Sequence, residues 1–229
     1  MRINADYGKR VIETPETAEW RPSPSPGVER RMLDRVGDEV AVATSVVRYA
    51  PNSRFPVHMH DKGEEFLVLD GVFSDDSGDY GAGTYVRNPP GTSHAPWTDE
   101  GTTILVKLRQ FDAADLKQFA LDTTTAQWSQ GPVPGSAVVQ LHKYETEHVQ
   151  MLRLDSGAVM HERDVPQGEE IFIVSGQIKD AHDSYGAGTW IRNPAGVAPQ
   201  FQALRSSVLW MKSGHLHPDY GPAKEADDP

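Results

Sequence analysis

The 229-residue sequence contains no cysteine. This absence excludes disulfide bonds, thiolate zinc sites, iron–sulfur clusters and cysteine nucleophiles, so any metal site must use histidine and carboxylate ligands. Apolar runs of about 18–20 residues, the length that spans a membrane, are also missing. The N-terminal residues lack the apolar core of a signal peptide. We therefore expect a cytoplasmic protein that does not enter a membrane.

Positive charge is scarce in this chain. There are 22 lysines and arginines against 33 acidic residues, which gives a net charge of −11. Proteins that bind nucleic acid normally present a basic face, because neutralising phosphates supplies much of their affinity. The sequence has no strong basic cluster. Nucleic acid is therefore not an expected partner.

Two parts of the chain repeat each other. Residues 79–91 (DYGAGTYVRNPPG) and 184–196 (SYGAGTWIRNPAG) are identical at nine of thirteen positions. The same offset of 105 residues aligns the Gly-Glu-Glu at 63–65 with the Gly-Glu-Glu at 168–170. Several landmarks at one offset indicate an internal duplication.

Each copy consists of short β-branched or aromatic segments separated by glycine, proline, asparagine and aspartate. Such segments without long helices predict an all-β barrel or jelly roll. One helix is expected at 112–121, with Asp112 as its N-cap. We predict a first barrel at 1–112, a helix and linker at 113–135, a second barrel at 136–217 and a flexible tail at 218–229.

Four candidate metal ligands lie in the first copy. His58 and His60 are two residues apart and face the same side of a strand. Glu64 begins the next strand after a turn, and His94 follows an Asn-Pro-Pro-Gly turn. Three histidines and one glutamate suit a divalent zinc, iron, manganese or nickel ion. Glu65 is a candidate second carboxylate in the pocket, but alternation along the strand favours a solvent-facing or inter-strand position for it.

The spacing of these residues resembles the two motifs of the cupin superfamily. His58 to Gly71 fits the first motif, with Asn52 in place of its leading glycine, and asparagine also tolerates a left-handed backbone. The second motif is met at four positions, and Thr98 replaces its final asparagine. The four positions are Gly83, Pro89, Gly91 and His94.

Residues 63–97 are similar to the ChrR-like cupin family, which takes its name from a bacterial anti-sigma factor responding to singlet oxygen. The resemblance implies two tandem cupin barrels of the double-stranded β-helix (jelly-roll) type. It also implies one divalent metal per chain, with zinc as the first expectation and iron, manganese or nickel as alternatives. The implied metal ligands are His58, His60, Glu64 and His94.

The same resemblance sets limits on function. The anti-sigma factor joins an N-terminal zinc domain, which grips the sigma factor through histidine and cysteine, to a C-terminal cupin. This chain has no cysteine and only about 30 residues before its first barrel. We therefore expect it to lack the sigma-binding half. More distant members include iron-dependent dioxygenases that cleave diketones or hydroxyacetophenones.

The second copy departs from the metal pattern. At the offset of 105, Glu169 alone corresponds to a ligand, and a longer turn would add only His161 opposite His58. Arginine cannot ligate a metal and would repel one. We predict a metal-free second barrel whose pocket is either filled by side chains or neutralised by an Arg163–Glu169 pair. The residues that replace the three histidines at that offset are Arg163, Val165 and Pro199.

The sequence leaves the function open between two classes. One is a sensor or regulatory module that responds to a small molecule or oxidant at the metal. The alternative is a metal-dependent, iron-containing dioxygenase or a related cupin enzyme acting on a small molecule. A purely structural metal is a third option. No catalytic residue is assigned. The second barrel would serve packing, dimerisation or ligand shaping, so a homodimer is left open.

Overall fold

A computed structural model describes residues 1–216. The tail predicted at 218–229 lies outside the described residues. Within them the chain forms strands and loops, with no helix and hence none long and apolar enough to cross a membrane. The architecture is all-β, as the sequence predicts.

The strands follow one another in two series. The first series is β1 (Arg2–Ile3), β2 (Val11–Glu13), β3 (Arg21–Pro22), β4 (Val28–Gly37), β5 (Ala41–Tyr49), β6 (Ser53–Arg54), β7 (His58–Met59), β8 (Glu64–Asp75), β9 (Gly78–Gly81), β10 (Thr84–Asn88), β11 (Ser93–His94), β12 (Trp97–Thr98), β13 (Thr102–Leu108) and β14 (Phe119–Asp122). The second series is β15 (Ser129–Gln130), β16 (Ser136–Tyr144), β17 (Glu147–Leu154), β18 (Val159–Met160), β19 (Arg163–Val165), β20 (Glu169–Ser175), β21 (Gln177–Lys179), β22 (Ser184–Gly186), β23 (Trp190–Asn193), β24 (Gly196–Ala198), β25 (Phe201–Ala203) and β26 (Ser207–Ser213).

The first unit consists of Met1–Ala5 and Ala18–Ala126. Its main sheet has the antiparallel order β1-β4-β5-β13-β8-β10-β14, and β7 pairs with β11 in a separate two-stranded sheet. Apolar side chains on the inner faces form the barrel core. These residues are Val28, Val47, Phe66, Val68, Phe73, Val86, Ile104 and Val106.

The second unit consists of Asp6–Thr17 and the chain from Gln127 onward. Its main sheet, β15-β16-β17-β26-β20-β23-β2, repeats the strand order of the first. Its core includes Leu152, Leu154, Ile171, Ile173 and Ile191. The two units are therefore two copies of one barrel.

Residues Asp6–Thr17, near the N-terminus, contribute to the second barrel rather than the first. Val11–Glu13 pairs with β23, and Val11 lies opposite Arg192. This differs from the predicted assignment of all residues 1–112 to one barrel. The reason is that β23 has an unpaired edge, which this distant segment satisfies with backbone hydrogen bonds.

The helix predicted at 112–121 is wrong. Phe119–Asp122 forms a strand that pairs with β10, with Phe119 opposite Arg87. Asp112 accepts a hydrogen bond from the Ala114 backbone (2.8 Å), but this closes a turn and not a helix. Pairing with an open sheet edge outweighs the weak helix propensity of a short segment.

Asn52 adopts the backbone conformation that its place in the motif predicts. Its φ angle is +60°, in the left-handed region. Asparagine is among the non-glycine residues that tolerate this region best. The turn before the His58–His60 segment is therefore formed without glycine.

Candidate metal centre

The four predicted ligands meet inside the first barrel. His58 on β7 lies directly opposite His94 on β11. His60 follows β7, and its backbone hydrogen bonds to Thr92 (2.8 Å) continue the alignment of the two segments. Glu64 is the first residue of β8 on the main sheet. One ligand atom from each residue lies within 4.8 Å of the others.

The distances between these ligand atoms suit a bound ion. His94 Nε2 is 3.2 Å from His58 Nε2 and 3.6 Å from Glu64 Oε1, and His60 Nε2 is also 3.6 Å from Glu64 Oε1. Ligands held at about 2.0–2.2 Å from one ion lie about 3–3.5 Å from each other. The site is slightly wider than that and needs little movement to close on a metal.

In each histidine, the hydrogen bond made by Nδ1 indicates which of the two ring nitrogens carries the proton. His58 Nδ1 donates to the carbonyl oxygen of Pro56 (3.2 Å), which can only accept. His94 Nδ1 donates to the carboxylate of Asp75 (3.1 Å). Both rings are therefore protonated at Nδ1, and their Nε2 lone pairs point towards each other.

The third ring is oriented in the same way. The Thr92 hydroxyl donates its hydrogen to the carbonyl oxygen of Pro89 (2.8 Å). It must therefore accept at its contact with His60 Nδ1 (2.9 Å), which makes His60 Nδ1 the donor. The Nε2 atom of His60 is buried and has no hydrogen-bond partner among the described residues. Three histidine nitrogens and one carboxylate thus converge on one point, as the ligands of a metal ion do.

Burial sets the charges of this site in the metal-free protein. Burial and the neighbouring His94 and His58 rings lower the pKa of His60 to about 4. Burial also lowers the pKa of His94. Both rings are therefore neutral near pH 7, as metal ligation requires.

The pKa of Glu64 is shifted upward, whereas the pKa values of the two histidines are shifted downward. Burial raises the pKa of Glu64 to about 7, and the negative charge of Asp75 adds to the rise while Asn88 opposes it. A carboxylate held in a buried pocket is destabilised unless a cation accompanies it. The ligand set, the spacing and the unpartnered His60 nitrogen all fit a divalent metal.

Asp75 is a supporting residue that the sequence analysis missed. It hydrogen bonds to His94 and also accepts from the Ser77 backbone (2.8 Å) and the Tyr80 hydroxyl (3.2 Å). The second barrel repeats this arrangement, because Asp180 accepts from Tyr185 (3.2 Å). The duplication offset pairs these residues, so the repeat contained a signal that could have identified Asp75.

Glu65, next to the ligand Glu64, faces away from the metal pocket. It is 1% exposed, so the solvent-facing alternative is wrong and the inter-strand alternative is confirmed. Its partners are on β10: the Tyr85 hydroxyl donates a short hydrogen bond to it, and Arg87 lies 3.2 Å away. Glu65 is therefore part of a buried ion-pair network and is not a metal ligand.

The second barrel fills its pocket with an ion pair. Arg163 Nη2 lies 2.6 Å and 2.7 Å from the two carboxylate oxygens of Glu169, which confirms the predicted pair. Asn193 donates a further hydrogen bond to Glu169 (2.7 Å). No group of three potential metal ligands forms around Glu169 in residues 1–216. His161, the alternative ligand, is exposed.

A second arginine completes this replacement. Arg10 forms a short ion pair with Asp180, the counterpart of Asp75, and donates to the side chain of Asn193 (3.0 Å). Two guanidinium groups therefore meet the two carboxylates of this pocket. They supply the positive charge that a divalent metal would bring.

The equivalent of Arg10 in the first barrel is shorter and neutral. Gln118 precedes β14 as Arg10 precedes β2, and the two strands pair with corresponding positions of β10 and β23. Gln118 reaches only as far as Asn88 (3.4 Å). The space beside Asp75 is therefore left for His94, which completes the metal site.

Solved structures of low sequence identity share this fold. A candidate dioxygenase from Nostoc punctiforme matches with a TM-score of 0.75 and 17% identity, over 90% of this chain and 82% of its own. An oxalate decarboxylase from Lactobacillus farciminis, solved as a formate complex, matches with a TM-score of 0.65 and 12% identity, over 95% and 90%. AerE from Microcystis aeruginosa matches with a TM-score of 0.62 and 16% identity, over 85% and 96%.

The family comparison covers both halves of the chain. No curated protein matches the sequence significantly. The family model of the ChrR cupin-like domain matches twice, at residues 8–112 and 116–217. The two matches agree with the duplication and with the two barrels. The chain therefore belongs to the ChrR cupin-like domain family, as a bicupin whose two halves each carry one copy of the domain.

Proposed function

We propose that this chain binds one divalent metal through His58, His60, Glu64 and His94 and acts on a small molecule at that metal. The observation that carries the proposal is the convergence of three histidine side chains on one buried carboxylate, with one ligand atom of each within 4.8 Å of the others. The distances, 3.2 Å between the Nε2 atoms of His94 and His58 and 3.6 Å from His60 Nε2 to Glu64 Oε1, are close to those between ligands of one ion. A bound metal would polarise a substrate or supply redox chemistry.

The site has an accessible side, which favours a functional metal over a structural one. His58 is exposed, whereas His60, Glu64 and His94 are buried. A ligand can therefore approach past His58, while the buried residues hold the metal. The buried His60, Glu64 and His94 would hold the metal and limit water on its inner side, so that the small molecule meets the metal from the side of His58.

Metal-dependent catalysis is the function that this arrangement supports best. The structural relatives include a candidate dioxygenase and an oxalate decarboxylase, which match over 90% and 95% of this chain. An enzyme of this class would use a redox-active ion, so we propose iron or manganese for this role in preference to zinc.

The test begins with the metal content of the protein purified from cells, measured by elemental analysis. The protein reconstituted with Fe(II) or Mn(II) is then given a 1,3-diketone, a hydroxyacetophenone or oxalate, and oxygen uptake and carbon dioxide release are recorded. We expect close to one metal per chain and a metal-dependent reaction. His60→Ala should abolish both, and His161→Ala, in the second barrel, should change neither.

A sensor or regulatory module is the second candidate, and the family description favours it. In that case the metal would bind a small molecule or oxidant without turnover. Native protein that contains only zinc, and no reaction with any of the three probes, would favour this candidate. A metal content that His60→Ala leaves unchanged would contradict both candidates.

A further inference from the structure

Arg30 faces the interior of the first barrel. It lies on β4 two residues after Val28, which is part of the barrel core, and it pairs with Val47 of the same core. Strand alternation places Arg30 on that inner face. The neighbouring Glu29 is on the outer face, where it forms an ion pair with Arg48 (2.6 Å).

The Arg30 guanidinium has no counter-ion among residues 1–216. Its Nε atom is buried without a hydrogen-bond partner, although the residue as a whole is partly exposed. Arg35, the next arginine on this inner face, differs because it donates a short hydrogen bond to the Asp38 carbonyl oxygen. The buried Nε–H lacks an acceptor and the rest of the group is partly open to solvent, so Arg30 is suited to receive an anion.

Tyr49 links Arg30 to the metal centre. Its ring packs against Phe73 (centroids 6.0 Å apart), and Phe73 in turn packs against the ligand His94 (5.8 Å). Burial raises the pKa of Tyr49, the negative charge of Glu64 raises it further, and the positive charge of Arg30 opposes the rise. Strand pairing places Tyr49 opposite Val28, so its side chain is on the same inner face as Arg30, diagonally across from it.

The duplication provides an internal comparison. The strand pairings place Val138 at the position of Arg30 and Leu154 at the position of Tyr49. The metal-free barrel has thus replaced both polar residues with aliphatic ones. It has kept the residues that serve the fold, because Glu170 and Arg192 stand where Glu65 and Arg87 do.

We propose that Arg30 and Tyr49 form an anion-binding subsite on the inner face of the first barrel, which receives the carboxylate of a small organic acid. The inference rests on the proposed function, because the other end of the ligand would bind the metal. A guanidinium matches a carboxylate through two parallel hydrogen bonds, and a tyrosine hydroxyl can donate a third. The substrate or effector of this chain is therefore an organic anion.

The test uses isotope-labelled acetate as the probe and acetamide as its neutral counterpart. Binding to the full-length protein is followed by NMR line broadening, with zinc and without it. Arg30→Gln should weaken acetate binding about tenfold and Tyr49→Phe about threefold, in line with the loss of charged and neutral hydrogen bonds. Acetamide binding should change little.

Arg48→Gln is the matched control, because it removes the same charge from the outer face of the neighbouring strand. Equal weakening by Arg30→Gln and Arg48→Gln, or no weakening by Arg30→Gln in folded protein, would overturn the subsite. Thermal unfolding verifies that each variant is folded. A wild-type protein that binds no metal would contradict the proposed function instead. In that case, the acetate affinity of the wild-type protein relative to that of Arg30→Gln, both measured without zinc, would still test the role of Arg30.

Discussion

One guanidinium nitrogen of Arg163, Nη2, lies 2.6 Å and 2.7 Å from the two carboxylate oxygens of Glu169, at the place where the first barrel gathers its metal ligands. The Glu169 side chain is 1% exposed, so its charge depends on this partner and on Asn193. The Arg10–Asp180 pair accompanies it. In the second barrel, the side chains of Arg163 and Arg10 therefore supply the positive charge that a bound metal ion would supply in the first.

Removing the arginine should destabilise the second barrel. Arg163→Ala leaves a buried carboxylate with one remaining donor, and we expect a loss of about 2–3 kcal/mol in the free energy of unfolding. The double variant Arg163→Met/Glu169→Leu should recover most of this loss, because it removes both charges. Urea unfolding measures both. Equal destabilisation by the single and double variants would contradict an electrostatic cause.

Asp75 should control metal affinity through His94. Asp75→Asn removes the carboxylate that holds the His94 ring, and such supporting groups typically contribute about 10–100-fold to metal affinity. Competition with a chelating dye measures the change. Asp180→Asn is the matched control, since it alters the same aspartate–tyrosine contact in the barrel without a metal site. Similar metal affinities in the two variants would be inconsistent with this role.

Metal binding should strengthen as the pH rises through 7. The pKa of Glu64 is about 7 in the metal-free protein, so this group must lose a proton to bind metal at lower pH. His60, with a pKa of about 4, adds competition only in stronger acid. We expect the affinity to rise about tenfold per pH unit between pH 5 and 7 from Glu64 alone.

The same titration affects the stability of the metal-free protein in the opposite sense. A carboxyl group whose pKa is raised by folding binds its proton more tightly in the folded state. Stability should therefore decrease as the pH rises from about 4.5 to 7, and metal should offset the loss. Thermal unfolding at several pH values, with and without zinc, follows both effects. Metal affinity that is constant from pH 5 to 7 would contradict the assignment to Glu64.

Chelation should loosen one barrel and leave the other intact. Removing the cation from the first barrel leaves converging lone pairs around Glu64, whereas the Arg163–Glu169 pair remains. Hydrogen exchange should accelerate in β7, β8 and β11 and stay unchanged in β19, β20 and β24. Equal acceleration in both sets would count against the asymmetry of the two sites.

The duplication, the all-β fold and the candidate ligands could be predicted from the sequence, because each depends on local spacing. His58 and His60 share a face as strand alternation requires, and the turn residues before His94 determine where it lies. The Arg163–Glu169 pair could also be predicted, because the offset of 105 aligns these residues with the ligands His58 and Glu64. The two residues are only six positions apart in the sequence. These features need no knowledge of distant contacts.

Only the tertiary structure decided how the sites are completed. Phe119–Asp122 became a strand because an open edge of β10 was available, which no local propensity reveals. Arg10 meets Asp180 across 170 positions of sequence. The proton positions of the three histidines depend on Pro56, Thr92 and Asp75 in the folded barrel. Local periodicity determines which residues face inward, but charge and hydrogen-bond partners are set by segments that meet only after folding.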